Sequence, residues 1–283
     1  MPENIFRYIC AQLSVKFVSA DSISGGDISQ AFLLSTDQGR FFVKINDSRQ
    51  ALDMFRKEGE ALKAMVSAGV KAPHVCLSGA FEDSAFLVME YIAPGPKSRT
   101  SMEELGQSLA RLHQHHGEQF GWNEDNYIGS LVQTNQWHDT WATFYITERL
   151  WPQLSMAKAR GYHVGSMDKD QMISKMLTYQ DEVFPSLLHG DLWAGNYISG
   201  SYGQAYLIDP AVYFGDREVD LAMTKLFGGF SNDFYSAYDE VLPLKQGFNE
   251  RIELYQLYYL LVHLNLFGSS YLPQVSSIMR RYF

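Results

Sequence analysis

The segment Leu187-Leu188-His189-Gly190-Asp191-Leu192-Trp193-Ala194-Gly195-Asn196-Tyr197-Ile198, followed by Tyr206-Leu207-Ile208-Asp209-Pro210-Ala211, limits the folds open to this chain more than any other. Apolar runs on either side of a polar turn predict short strands, and the turn gathers His189, Asp191 and Asn196. Asp191 and Asn196 stand five apart. That is the H-x-D-x-x-x-x-N spacing of the phosphotransferase catalytic loop, in which the Asp takes the acceptor hydroxyl's proton and the Asn holds a magnesium ion. Asp209, thirteen residues beyond Asn196, ends a run rich in β-branched and aromatic residues, so its carboxylate is expected beside the loop as a second metal ligand. The chemistry accounts for these residue types. A transferring phosphoryl group carries spread negative charge, and carboxylate and amide oxygens suit the hard cation that neutralises it. Asp, Asn and Gly also favour turns for local backbone reasons. The spacing, the flanking strands and the second Asp together favour the catalytic assignment. His189 is expected to brace the backbone of the turn.

Upstream, Ser24-Gly25-Gly26-Asp27-Ile28-Ser29-Gln30 leads into Ala31-Phe32-Leu33-Leu34. Gly25 and Gly26 would let the backbone approach phosphates closely in a hairpin lid, although a glycine pair by itself more often makes a plain hairpin turn. Arg40-Phe41-Phe42-Val43-Lys44-Ile45 is an apolar strand with a lysine inside it, and such a lysine needs a partner or a ligand. In nucleotide-binding kinases that lysine reaches the α- and β-phosphates and pairs with a helical glutamate. Ala51, Leu52, Phe55, Leu62, Met65 and Val66 recur at helical spacing, and Glu58 on that helix is the expected partner, with Glu60 as competitor. Two further strands are expected over Val75–Ala80 and Ala85–Ile92, before Ala93-Pro94-Gly95-Pro96 breaks regular structure. Residues 1–92 are therefore expected to form a nucleotide-binding lobe, 93–100 a linker and 101–283 a larger, mainly helical lobe. In that arrangement Glu90, Tyr91 and Ile92 offer main-chain groups to adenine.

In the second part, Ser101 and Glu104 predict a capping box ahead of Leu105, Leu109 and Leu112. His113, His115 and His116 read as a basic helix end, not a metal cluster. Trp137, Trp141, Phe144, Tyr145 and Leu150 predict an aromatic core stripe on a helix. After the catalytic segment, Asp216 is expected to cap a helix, and Asp220, among apolar neighbours, to brace the catalytic turn through backbone N–H groups. Helices are expected around residues 232–241 and 250–267.

Composition limits the partners. The 283 residues, 46% hydrophobic and 14% aromatic, can build a sizeable core. With 23 basic against 32 acidic residues the net charge is −9, which argues against a nucleic-acid partner and is compatible with a cationic substrate. Cys10 and Cys76 have no metal-ligand spacing and make no disulfide framework, so a reducing cytoplasm is the expected location. Met1–Leu13 shows no signal-peptide pattern, and Leu254–Phe267 is too short and too interrupted to span a bilayer, so no membrane association is expected.

Over nearly its whole length the chain resembles the fructosamine kinase (ketosamine 3-kinase) family. The runs Ser186–Asn196, Ile208-Asp209-Pro210-Ala211-Val212-Tyr213 and Gly215-Asp216-Arg217-Glu218-Val219-Asp220-Leu221-Ala222-Met223 carry the resemblance, supported by Phe42-Val43-Lys44, Asn126-Tyr127-Ile128-Gly129 and Phe227-Gly228-Gly229-Phe230. The resemblance implies a two-lobed α+β protein-kinase-like fold, with a small antiparallel-sheet lobe and a larger helical one. It also implies ATP-dependent phosphorylation, with Mg2+, of the 3-hydroxyl of a sugar joined to an amine through a ketoamine, free or on a protein. The 3-phosphate then eliminates and frees the amine. By the same resemblance Asp191 is the catalytic base, Asn196 and Asp209 hold magnesium, Lys44 binds phosphates beside Glu58, and Gly25 and Gly26 form the lid. Trp193 is expected beside the sugar, with His263 a second candidate there. Many eukaryotic members carry a lid cysteine where this chain has Asp27, so redox control through that loop is not expected. The rival readings are a kinase for another amino alcohol, such as an aminoglycoside, and a non-catalytic nucleotide-binding module.

Overall fold

A computed structural model describes residues 3–23, 28–165, 168–179 and 182–283. Helix α1 (Asn4–Leu13) precedes strands β1 (Phe17–Ile23), β2 (Gln30–Thr36) and β3 (Gly39–Asn46), and helix α2 (Ala51–Ser67) leads to β4 (Val75–Phe81) and β5 (Ser84–Glu90). The five strands form one antiparallel sheet in the order β1-β2-β3-β5-β4. Alternation along the central strand β3 decides where its lysine goes. Val43 and Ile45, both fully buried, pack with Ile5, Phe6 and Ile9 of α1 on one face. Phe42 packs on the opposite face with Phe55, Leu62 and Met65 of α2 and Met89 of β5. Lys44 shares that second face, between Ala31 of β2 and Leu87 of β5 in register. A slip of one residue would turn it into the α1 core.

The remaining chain is mainly helical. In order come α3 (Arg99–His113), the ribbon β6 (Asn126–Ile128) and β7 (Leu131–Gln133), and α4 (Trp141–Phe144), which runs through a π-helical turn (Tyr145–Leu150) into α5 (Trp151–Ala159). Then follow α6 (Lys169–Met176), β8 (Ser186–Leu188), β9 (Tyr197–Ser199), β10 (Ala205–Leu207) and β11 (Tyr213–Gly215). Last come α7 (Glu218–Leu226), α8 (Asn232–Val241), α9 (Phe248–Phe267) and α10 (Leu272–Tyr282). The apolar stretch Leu254–Phe267 is the C-terminal part of α9, which packs against α7, α5 and α10. Among the described residues no helix is long and apolar enough to cross a membrane. A sheet lobe joined to a helical region is the expected α+β architecture.

Two expectations about local structure need correction, and the structure defines one helix more closely. Helix α3 starts at Arg99, and its cap is Ser98, whose hydroxyl accepts the Ser101 N–H while the Ser101 hydroxyl accepts the Ser98 N–H. Glu104 instead pairs with Lys71 at 2.9 Å. The first turn, Arg99–Ser101, is polar, so apolar periodicity signals the helix one turn late. Trp137 lies ahead of α4 and is 42% exposed, so the aromatic core stripe begins at Trp141. On α2, Leu52 and Val66 face solvent; only the stripe through Ala51, Phe55, Leu62 and Met65 is buried.

A polar clamp joins α2 to the loop ahead of β6 and to β6 itself. Arg56 meets Glu124 at 2.6 Å, the Tyr127 hydroxyl donates to Asp53 at 2.9 Å, and Lys57 meets Asp53 at 2.8 Å. Against a burial effect that pushes it up, hydrogen bonds from Lys57, Arg56 and Tyr127 hold the Asp53 carboxyl down at about 2. The Arg56 guanidinium does the same to Glu124, also to about 2. Carboxyls lowered in the folded state stabilise it above their ordinary range near 4, and lose that contribution as pH falls toward 2. The groups are partly exposed, so the clamp is worth about 1 kcal/mol or less. Urea unfolding of Arg56→Met should show a deficit of that order at pH 6 that shrinks below about pH 4. A deficit independent of pH would mean that lost packing, not charge, is its source.

Candidate active site

Leucines pin the catalytic segment. Leu187, Leu188 and Leu192 are buried, β8 pairs with β11 (Leu188 opposite Tyr213), and β9 pairs with β10. Between these two-stranded ribbons the turn is set by Gly190. Its φ is +84°, and an added Cβ would sit 2.0 Å from the Ala211 carbonyl oxygen, so only glycine fits. The Ala211 N–H donates to the His189 carbonyl at 2.8 Å, and the Ile208 N–H to the Asn196 carbonyl at 3.0 Å. These bonds lay the segment carrying Asp209 along the turn carrying Asp191.

His189 is fully buried and bridges the two strands. Its Nε2–H donates to the Ile208 carbonyl at 2.9 Å, which leaves Nδ1 to accept the Asp191 N–H at 3.2 Å. Burial holds its pKa below the ordinary histidine value, in keeping with a neutral ring in that tautomer. Asp220 lies beneath the turn, fully buried, and accepts the N–H groups of His189 at 2.7 Å and Gly190 at 2.9 Å. It also accepts His113 Nε2–H at 3.1 Å, while His113 Nδ1 accepts from the Tyr238 hydroxyl at 2.8 Å. Burial pushes the Asp220 carboxyl up, but these donors outweigh it and keep the group ionised. Asp216 accepts the Glu218 N–H at 3.0 Å at the start of α7 and the Tyr255 hydroxyl at 2.5 Å.

The polar groups of the site converge above this support. Asn196 donates its amide hydrogens to the Asp191 carbonyl at 2.8 Å and to the Asp191 carboxylate at 3.3 Å, so its amide oxygen is the atom left for a cation. Lys44 Nζ lies 2.7 Å from Glu58 Oε1 and 2.7 Å from Asp209 Oδ1. The competitor Glu60 pairs with Arg56 instead. Burial lowers the Lys44 pKa, but Asp209 and Glu58 overcome that and hold the ammonium charged. Asp191 is pushed up to about 7 by burial and by the charges of Asp209 and Asp220, with the Asn196 amide opposing. Three carboxylates thus crowd a site whose nearest fixed cation, Lys44, is already shared. A divalent cation would relieve this excess. Asn196 and Asp209 could supply two oxygen ligands, a donor set that fits Mg2+, an ion that keeps several waters and takes the rest of its shell from phosphates.

These groups line a cavity of about 1040 Å³ between the sheet and the helical region. Glu90, Tyr91 and Ile92 line it after β5; the Glu90 carboxylate is turned to the His74 N–H at 3.3 Å, and Arg40 covers the Tyr91 ring at 4.7 Å. Trp193, 39% exposed, and His263 line it as well, and the His263 ring donates from Nδ1 to the Tyr259 carbonyl at 2.8 Å. Gly25, Gly26 and Asp27 lie outside the described residues.

Several supporting residues escaped sequence reasoning. Asn126 and Gln133 donate to the carbonyls of Val212 and Ala211, and Tyr259 donates to the Gly190 carbonyl at 2.9 Å. Asn126 and Tyr259 stand in the runs Asn126–Gly129 and Leu254–Phe267, but nothing local marked their partners. His113 was visible only as part of a basic helix end.

Removing the Asp220 carboxylate should leave two buried N–H groups and a histidine unpaired. Asp220→Ala is therefore expected to destabilise the chain by about 3 kcal/mol or more in urea unfolding, and Asp220→Asn by less. A loss under about 1 kcal/mol would mean that the turn holds itself.

The comparisons identify the family. The fructosamine kinase family model matches residues 1–283. A "Probable ketoamine kinase" of Vibrio parahaemolyticus is 43% identical over 256 residues, 89% of this chain and 88% of the relative. One of the same name from Lactiplantibacillus plantarum is 40% identical over 92% of each chain. A solved structure provisionally named fructosamine-3-kinase, from Haemophilus somnus, superposes with a TM-score of 0.88 at 28% identity, over 99% of this chain and 96% of that one. At 17% identity, choline kinase of Streptococcus pneumoniae shares the fold, with a TM-score of 0.62 over 99% of this chain and 97% of its own. The matched sequence and the shared architecture agree, and the chain belongs to the fructosamine kinase family, as a phosphotransferase on a protein-kinase-like fold.

Proposed function

We propose that the protein uses ATP to phosphorylate the 3-hydroxyl of ketosamines, the ketoamine adducts of sugars with amines, and so begins their deglycation. One observation carries this reading: Lys44 meets Glu58 and Asp209 at 2.7 Å each, on the same cavity that holds Asp191 with Asn196 bonded to it. In this reading Glu90 to Ile92 present main-chain groups to adenine, Lys44 binds the α- and β-phosphates, and Gly25 and Gly26 cover them. Asp191 accepts the proton of the attacking 3-hydroxyl, and Asn196 keeps its carboxylate oriented. A magnesium ion held by Asn196 and Asp209 would supply charge neutralisation on the triphosphate. Asp220 and His189 fix the turn, and Trp193 forms a wall beside the sugar. Once the phosphate sits at C3 it eliminates, and the amine is released. The names of the relatives support the ketoamine class of acceptor.

Two outcomes test the reading. Incubated with ATP and the lysine adducts ribulosamine, erythrulosamine and fructosamine, beside an aminoglycoside and choline, the enzyme should release ADP with at least one ketosamine. ADP release with only the last two would replace the proposed acceptor. Asp191→Asn should reduce kcat by about 10²-fold or more, the scale of general-base loss, with nucleotide binding retained. Undiminished turnover would mean that another group takes the proton.

A further inference from the structure

The charged side chains that line the cavity are unevenly placed. Among the described residues they are Lys44, Lys57, Glu58, Glu90, Asp191 and Asp209, all on the sheet, on α2 or in the catalytic segment. The part formed by the end of α9, the turn after it and the residue following α7 carries none; it consists of Phe227, Val262, His263, Leu266, Phe267 and Tyr271. Here the His263 ring is the hub, with centroids 4.8 Å from Phe227, 5.4 Å from Phe267 and 5.2 Å from Tyr271. Burial holds His263 below the ordinary histidine value, which favours a neutral ring. The aromatic wall is wet as well as apolar: Phe227 is 44% exposed and Phe267 55%. Large aromatic surfaces left open beside a reaction centre mark a place for an apolar ligand group.

Close packing makes this wall continuous with the catalytic turn. A Cβ on Gly229 would sit 2.5 Å from the Cβ of Ala194, so the connector carrying Phe227 lies against the residue next to Trp193. On the other side, a Cβ on Gly129 would meet Leu266 at 3.0 Å and Ile28 at 3.4 Å, so Ile28, just ahead of β2, lies at the same end. An apolar wall with an aromatic rim therefore borders the turn that carries Asp191.

We propose that Phe227, His263, Phe267 and Tyr271 form a subsite for an apolar substituent on the amine of the ketosamine, an alkyl chain or aromatic ring. This rests on the phosphotransfer reading above and adds which amines the site selects. A polycationic acceptor would find no carboxylate among the described residues of this wall, whereas the methylenes of an alkylamine would lose water against it.

The test is a series of ketosamines made from one aldose with methylamine, propylamine, hexylamine and benzylamine, followed by ADP release and by the position of the phosphate. kcat/KM should rise about two- to fourfold for each methylene that reaches the wall. In Phe227→Ser and Phe267→Ser, each at an exposed position, the preference for hexylamine over methylamine should fall about fivefold or more, with the thermal midpoint near that of the parent. A series that is flat or falling with chain length in the parent enzyme overturns the subsite while C3 phosphorylation of the methylamine adduct still stands. Retention of the full hexylamine preference in both variants overturns it too. If no adduct is phosphorylated, the underlying reading fails and takes the subsite with it.

Discussion

A single ammonium group shared by two carboxylates ties together three parts of this molecule that are far apart in sequence. Lys44 comes from the middle of the sheet, Glu58 from α2 and Asp209 from the catalytic segment, and all three meet within 2.7 Å contacts. A buried ion pair of this kind adds little net stability, because desolvation offsets most of its Coulomb energy. Its effect is geometric. Without Lys44, two carboxylates from different elements would repel across the cavity. With it, the strand register, the position of α2 and the path of the chain after β10 are fixed relative to one another.

The support under that triad is a second polar layer in which Asp220, His189 and His113 are paired, while the buried Tyr213 hydroxyl and Arg149 Nε have no hydrogen-bond partner among the described residues. Asp220 accepts the two N–H groups of the tightest part of the turn, and His189 ties that turn to the strand leading to Asp209. Asp209 itself has a φ of +55°, unusual for a residue with a side chain, and such strain persists only where the surroundings impose it. Here those surroundings are the amides of Asn126 and Gln133, bonded to the carbonyls just after it. Under the same layer the π-helical turn buries Arg149, 3.8 Å over the Tyr213 ring and bonded to Thr134 and Asn135. The catalytic segment thus rests on hydrogen bonds and stacked rings as well as on apolar packing.

What was legible in the sequence was short-range. The turn between β8 and β9, the alternation that places Lys44, and the helices around α2, α8 and α9 all follow from local periodicity and turn chemistry. Lys44 needed a partner because it lies inside an apolar strand, and Glu58 on the next helix was the partner that the kinase pattern calls for. Asp220 was assigned to bracing on the same ground. The failures share a cause as well. The Ser98 cap was missed because a polar first turn carries no apolar signal, and Trp137 was placed in the core because residue type does not reveal where a helix begins. The His113–Tyr238 and Gln133–Ala211 bonds join residues more than seventy apart, which no local pattern records. The lid glycines Gly25 and Gly26 lie outside the described residues, and their role rests on the resemblance alone.

The central claim is spatial: one triphosphate sits with Lys44 on its inner phosphates and its terminal phosphate facing Asp191. Diffraction from crystals grown with magnesium and a non-hydrolysable ATP analogue tests it most directly. The account predicts a cation at about 2.0–2.1 Å from oxygens of Asn196 and Asp209, with the γ-phosphate between that cation and the Asp191 carboxylate. A nucleotide bound elsewhere, or a cation held by neither residue, would contradict it.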